Sequence, residues 1–262
     1  MAETSMVPCR CRRLGRLHQH RAHGSPAPAA RQQGSAVMEA CRPNGHRNAD
    51  LRGANWQGCQ LGAVDLRGVK LCRADVRGAD LGDARLEGAD LGLARYDALT
   101  RWPPGFAYAR SGAVGPGAQL GGAFLNTADL RGMDLRGAFM LGIYLSGADC
   151  RGALMQDIGF ASGDLRRSRF CGALLTGSRF AYAQLEGCDF RAADLRGADF
   201  TGVGSIAGAV FTGALGLEGF RDELLSRSYQ ELDCWNRLAR CTTRESLAAR
   251  DACGNTRGDA HG

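Results

Sequence analysis

Large apolar side chains recur at every fifth position along most of this chain. Taking each as the centre of a unit, centres run from Leu51 through Trp56, Leu61 and Leu66 to Tyr96, and again from Leu120 to Phe200. Most centres are Leu or Phe. Ala predominates two positions before the centre, as at Ala49, Ala79, Ala128 and Ala198, and Gly two positions after it, as at Gly53, Gly88, Gly137 and Gly197. A period of five fits neither a helix, with its period of about 3.6, nor an unbroken strand of period two. It predicts a short extended piece followed by a corner. The centre and the residue two before it face inward, and the residue between them faces out. Gly at the second corner position supplies the positive φ of a type II turn. Four such units close a square coil, in which one inward position must be small and the other can be large. Coils then stack at about 4.8 Å, giving a solenoid stabilised by its neighbours along the stack. In this register Phe160, Phe180 and Phe200 form one internal column, and Phe170 and Phe190 another.

Units such as Ala49-Asp50-Leu51-Arg52-Gly53 and Ala193-Asp194-Leu195-Arg196-Gly197 resemble the pentapeptide-repeat family, with its A(D/N)LXX consensus. The resemblance covers residues 49–96 and 118–202, with weaker units at Val210 and Leu215. It implies an all-β solenoid, a right-handed quadrilateral β-helix, and says little about activity. Some members mimic nucleic-acid geometry and protect DNA gyrase, so a DNA-mimicking gyrase or topoisomerase protector is the alternative to a plain interaction scaffold.

The spacing from Tyr96 to Leu120 is not a multiple of five, so residues 97–117 read as a loop insertion. Its run Thr100-Arg101-Trp102-Pro103-Pro104-Gly105-Phe106 has the prolines and glycine of a loop and two aromatics, Trp102 and Phe106, able to dock. Outward positions should be polar, yet Phe124, Phe139, Tyr144, Leu154 and Leu174 hold them, with Leu141 just after a centre. These six form an expected apolar patch above the insertion, which marks a contact. Either the Trp102–Phe106 loop folds over it, or a protein partner or second subunit docks there.

Beyond Leu215 the spacing turns helical: Leu217, Phe220, Leu224, Leu232, Trp235 and Leu238 fall near one helix face. Asp233 and Arg237 make an i,i+4 pair, and Thr242-Thr243-Arg244-Glu245 reads as a capping box opening a second helix to about Arg250. Residues 217–252 are therefore expected to be a helical cap over the last coil, followed by a flexible tail at 253–262. A second reading adds a homodimer contact through Phe220, Leu224, Leu232, Trp235 and Leu238, as other family members use.

The formal charge of +6 changes this picture only at one end. Residues 1–48 carry eight Arg and two acids, whereas 49–216 carry 18 basic and 17 acidic groups. The body is near neutral, which argues against direct nucleic-acid binding and against mimicry of duplex DNA. The segment 1–48 has few large apolar side chains and reads as disordered. Arg12-Arg13 invites a twin-arginine reading without the apolar core of a signal; a transit peptide and a translation start at Met38 are the other readings. Catalytic and cofactor chemistry finds little purchase. The histidines are 18, 20, 23, 46 and 261, none in the repeats, and Cys9-x-Cys11 with the His18–His23 cluster looks accidental. Cys59, Cys150 and Cys188 fall at inward positions, and Cys72 and Cys171 at outward ones. No disulfide framework is suggested, which points to the cytoplasm. No apolar run is long enough to span a bilayer. The Asp and Arg of each repeat are expected to form charge ladders between coils. The reading is thus a non-enzymatic scaffold with no cofactor, no metal and an unidentified protein partner.

Overall fold

A computed structural model describes residues 47–248. The readings that fall on residues 1–46 and 249–262 lie outside the described residues: the basic segment, Met38, the His and Cys pairs, and the tail. From 47 to 216 the chain is a four-sided coil. Parallel bridges join positions i and i+20, as in Asp50↔Lys70, Lys70↔Asp90, Arg169↔Asp189 and Arg179↔Asp199. Each side contributes one bridging residue, because a five-residue unit that turns at both ends has no room for a longer strand. The β character of the coils is therefore a stack of single bridges.

The sides are numbered I to IV by their inward centres. Side I carries Leu71, Leu91, Leu130, Cys150, Phe170 and Phe190, side II Val76, Tyr96, Leu135 and Leu175, side III Leu81, Leu120, Met140, Phe160, Phe180 and Phe200, and side IV Leu66, Leu86, Leu145, Leu165 and Leu185. Every one of these side chains is buried, and so is most of the Ala set. Corners close as expected: Ala54 N–H donates to Leu51 O at 3.1 Å across Gly53, whose φ is 70°. In the upper coils Phe occupies two opposite sides and Leu the other two. Phe160–Phe180–Phe200 stack at 5.2 and 4.6 Å, Phe170–Phe190–Phe211 at 5.1 and 5.2 Å, and the columns meet edge-on, as between Phe180 and Phe190 at 5.9 Å. Four rings per coil would overfill the square. Where Ser replaces Ala, the buried hydroxyl is satisfied by a coil below: Ser168 donates to Leu145 O at 2.6 Å and Ser178 to Met155 O at 2.8 Å.

Two irregularities displace the expected boundaries. The ladder does not stop at Tyr96. One extra residue is absorbed at 97–99, so that Arg101 bridges Asp80 and Trp102 takes the centre position. Asp97 Oδ1 accepts the Gly78, Leu99 and Thr100 amides, which holds this wide corner. The excursion proper is 103–112, containing a 3-10 turn at Tyr108–Arg110, and Val114 then bridges Arg95. Bridges end at Arg101 and Val114 and begin afresh at Gln119, Phe124, Asp129 and Asp134. Across this level Gln119 N–H donates to Ala109 O, and Gly117 N–H to Arg136 O.

A second extra residue at 203–206 puts Ile206 and Phe211 at the centres. Val210 and Leu215, expected as centres, instead take the bridging positions opposite Asp189 and Asp194, and Leu215 is exposed.

The C-terminal segment is not one amphipathic helix. After a 3-10 turn at Leu217–Gly219 come α1 (Arg221–Leu225) and α2 (Tyr229–Leu232), then β1 (Trp235–Asn236) paired antiparallel with β2 (Cys241–Thr242), and α3 (Thr243–Ala248). Leu217, Phe220, Leu224 and Leu232 are buried, and Phe220 stacks on Phe200 at 4.3 Å. Trp235 and Leu238 are exposed because the chain breaks at Ser226 and reverses after α2, which removes them from the expected face. Asp233 pairs with Arg244 at 2.7 Å rather than with Arg237. The capping box is in place: Glu245 accepts the Thr242 amide at 2.7 Å and Thr242 Oγ1 accepts the Glu245 amide at 3.1 Å. Arg227 and Glu231 satisfy the backbone loosened by the second extra residue. Arg227 donates to Val203 O and Gly204 O, while Glu231 accepts the Ile206 amide at 3.0 Å and pairs with Arg227 at 2.9 Å. Burial opposes the Glu231 charge, but these donors hold its carboxyl below the usual range. Among the described residues no helix is long and apolar enough to cross a membrane.

Candidate protein-interaction surface

The outward face of the coil is mostly Asp and Arg, arranged differently from the expected ladders. In most ADLR-type units Asp accepts its own Arg two residues on, as in Asp164 with Arg166, whose Nε and Nη2 donate at 2.8 and 2.7 Å while its amide donates at 3.2 Å. The fork closes within one unit because Asp sits on the bridge and Arg on the following corner, with the side chains side by side. Asp129 is drawn down to about 2, chiefly by its hydrogen bonds from Arg131. Pairs between coils are fewer: Arg95 with Asp75 at 3.4 Å, Arg101 with Asp80 at 2.8 Å and Arg131 with Asp149 at 4.0 Å. These carboxylates are committed to guanidinium groups and are not poised for acid–base work.

One corner departs from this pattern. On sides III and IV above the excursion, no charged residue stands at the outward positions from Gln119 to Gly159 or from Phe124 to Tyr144. Phe124 is 72% exposed and stacks on Tyr144, 41% exposed, at 4.6 Å. Phe139 and Leu141 are each 49% exposed, and the Phe139 ring lies so close over Gly121 that a Cβ there would come within 2.7 Å of it. Trp102 and Phe106 do not cover these residues. They stack at 5.5 Å and pack with Tyr96 and Tyr108, turned in against the core. Leu154 and Leu174 bridge one another on side II and are half-buried, separated from the corner by Arg136 and Gln156, so the six residues are two pieces.

Sequence reasoning missed Tyr182. It stands at the same corner two coils above Leu141, 71% exposed, at φ 59°. The signal was present: an aromatic residue in a corner slot that Gly holds in most units. The corner column is Leu141-Gly142, Ala161-Ser162, Ala181-Tyr182 and Thr201-Gly202, tied by amide-to-carbonyl bonds from Gly142 to Ala161, Ser162 to Ala181 and Tyr182 to Gly202.

At the C-terminal end Trp235 and Leu238, 55% and 67% exposed, overhang a cleft of about 900 Å³ lined by Arg167, Arg169 and Glu186. Phe220, Leu224 and Leu232 are internal. A smaller cleft, about 340 Å³, opens at the ladder's interruption between Arg73 and Arg95 below and Asn126 and Asp129 above. Among the described residues no three His, Cys, Asp or Glu side chains gather as metal ligands. Cys72 is half-buried rather than exposed, its thiol donating to Asp90 at 2.9 Å, and that bond raises its pKa. Burial pushes the Cys150 and Cys188 thiols far up.

Five-residue units, bridges at intervals of 20 and an Ala/Leu/Phe interior define a solenoid whose outer surface alone varies from unit to unit. The pentapeptide-repeat profile matches eight copies over residues 47–88, 117–152, 160–191 and 183–215, more than half of the chain. The chain belongs to the pentapeptide-repeat family. Among solved structures it is similar to HetL, a pentapeptide-repeat protein involved in heterocyst differentiation regulation from Nostoc (23% identity, 71% of this chain and 96% of that one, TM-score 0.31). It is also similar to QnrB1, a plasmid-mediated fluoroquinolone resistance protein (18%, 66% and 85%, TM-score 0.23). A third is a thylakoid-lumen pentapeptide-repeat protein of Arabidopsis thaliana (18%, 80% and 97%, TM-score 0.15). No curated protein matches.

Proposed function

We propose that this protein is a non-enzymatic, cytoplasmic scaffold, a right-handed quadrilateral β-helix that docks a protein on the uncharged corner between sides III and IV. The observation that carries this is the exposure of Phe124, Phe139, Leu141 and Tyr144 together, with no segment of the described chain laid over them. Exposed apolar area of this extent, on a surface otherwise made of Asp–Arg forks, marks a contact. The C-terminal segment acts as a cap, supported by Phe220 on Phe200 and by the Arg227–Glu231 pair on the 203–206 backbone. Supporting a non-catalytic role, the repeats hold no histidine and their carboxylates are paired with arginines. The unbridged thiols, such as Cys72 and Cys171, fit a reducing compartment. Gyrase protection by DNA mimicry is the weaker reading, because duplex DNA presents a negative charge per about 1.7 Å and here each forked carboxylate meets its own guanidinium. The test is affinity capture from the producing cell with the wild-type chain and with the Phe124→Glu/Tyr144→Glu variant. The docking reading requires interactors lost on substitution, and an identical set on both baits refutes it. Rescue of quinolone-inhibited supercoiling by micromolar protein would reinstate mimicry.

A further inference from the structure

We propose that the occupant of this corner is a second copy of the same chain, lying antiparallel; this rests on the docking reading and names its partner. The stripe has the form a two-fold axis requires, in which one surface must complement itself. Its corner positions from Leu141-Gly142 to Thr201-Gly202 carry no charge, so copying them creates no like-charge clash there, and the charges that flank them at this level are Asp164 and Arg179. Its bulky groups and its trough sit at mirrored heights about the coil of Ala161 and Ser162: Leu141, Gly142 and Tyr144 one coil below, Ala181 and Tyr182 one coil above. An axis through that level, perpendicular to the solenoid, lays Tyr182 of one copy over Gly142 and beside Leu141 of the other. The same operation keeps side III against side III and sets Arg179 over the Phe139 ring, a cation against an aromatic face. Asp164 falls near the axis, and its own fork with Arg166 at 2.7 Å neutralises it there.

The size is also right. Phe124, Phe139, Leu141, Tyr144 and Tyr182 are 41–72% exposed. With aromatic side chains worth about 150–250 Å² each when buried, they give about 500–600 Å² per copy. Two copies, with the Ala and Gly trough between, reach the lower end of the roughly 1,200–2,000 Å² that stable interfaces bury. Tyr182 adds an independent sign. It holds a left-handed corner conformation, as Gly142, Ser162 and Gly202 do in the same column, and among the described non-Gly residues that share it Tyr182 alone is aromatic, its ring kept outward against a backbone cost.

Sedimentation velocity on the full chain from 1 to 100 μM tests this. The expected result is a species near twice 27.8 kDa. Phe124→Glu and Tyr182→Gly should each weaken association at least tenfold, while Trp235→Glu at the C-terminal face leaves it unchanged. Tyr182→Gly guards against misfolding, because it relieves the corner and should hold or raise the melting temperature while the dimer is lost. A wild-type monomer throughout overturns the second-copy proposal, and patch-dependent capture of another protein would then still leave the docking reading standing. A dimer broken by Trp235→Glu and untouched by Tyr182→Gly also overturns it, moving the interface to the C-terminal face.

Discussion

Replacing Phe180 with Ala probes the register at its most crowded point. The ring is fully buried, stacked between Phe160 at 5.2 Å and Phe200 at 4.6 Å, and met edge-on by Phe190 at 5.9 Å. Losing the buried ring forfeits about 2 kcal/mol of transfer free energy. The hole, about 100 Å³, adds about 2.4 kcal/mol at about 24 cal/mol per Å³, because neighbours locked in columns cannot collapse into it. The total, about 4–5 kcal/mol, lies at the upper end of measured Phe-to-Ala costs. For a chain of this size each kcal/mol moves the melting temperature about 2–4 °C, so a drop of about 8–20 °C is expected in a circular-dichroism melt. Phe180→Leu, which keeps most of the volume, should cost well under half of that. Tyr182→Ala, two residues along but outside, should cost little. A melting temperature within about 2 °C of wild type for Phe180→Ala, less than the shift from about 1 kcal/mol, would mean that the ring is not inside, and the four-sided register would be wrong.

Gly115 holds a centre position where Leu is the rule, and Gly115→Leu should lower the melting temperature although it restores the repeat: a Cβ would lie 2.8 Å from the Tyr96 ring, which is fixed by its hydroxyl on Pro116 O at 2.7 Å. Asp189→Ala should destabilise by about 1–3 kcal/mol, since its side chain is largely buried in the fork with Arg191, whereas Asp50→Ala, in an exposed fork, should leave a thermal melt unchanged. The forked carboxylates titrate below their unfolded range, Asp129 at about 2, so their stabilisation is complete above about pH 5 and fades as pH falls toward 2; a melting temperature flat from pH 5 to pH 2 would contradict this. Glu231→Ala should free the 203–206 backbone, read as faster hydrogen exchange at the Ile206 amide, with the exchange of Leu165 unaffected.

What could be read from the sequence was whatever repeats. Each Phe column, each Ala slot and most corners follow from spacing, because a coil of four five-residue units forces every position into contact with its equivalent one coil on. Departures from the period were harder. Trp102 looked like part of a loop, since one extra residue before it hid the unit it centres. The residue inserted before Ile206 likewise made Val210 and Leu215 pass for centres. The helical reading of 217–238 placed Trp235 with Leu224 on a periodicity that assumes an unbroken axis, whereas α1 already ends at Leu225. The Asp–Arg forks were misread as ladders because spacing gives the nearest neighbour along the stack but not the shorter reach along the chain. Where Trp102 and Phe106 dock depends on Tyr96 and Tyr108, a choice among aromatic partners that no local pattern expresses.

The stop of the bridges at Arg101 and Val114 has a mechanical meaning. In a linear array, the coupling between neighbours determines how far unfolding spreads from wherever it starts. Here the hydrogen-bond coupling across one level falls to the amides of Gly117 and Gln119 and to the Tyr96 hydroxyl on Pro116 O. The rod is then two blocks in series, a Leu-filled lower block and an upper block stiffened by Phe, with a compliant joint between them. A force along the axis opens that joint first, and the lower block can be lost while the coils bearing the uncharged corner stay folded.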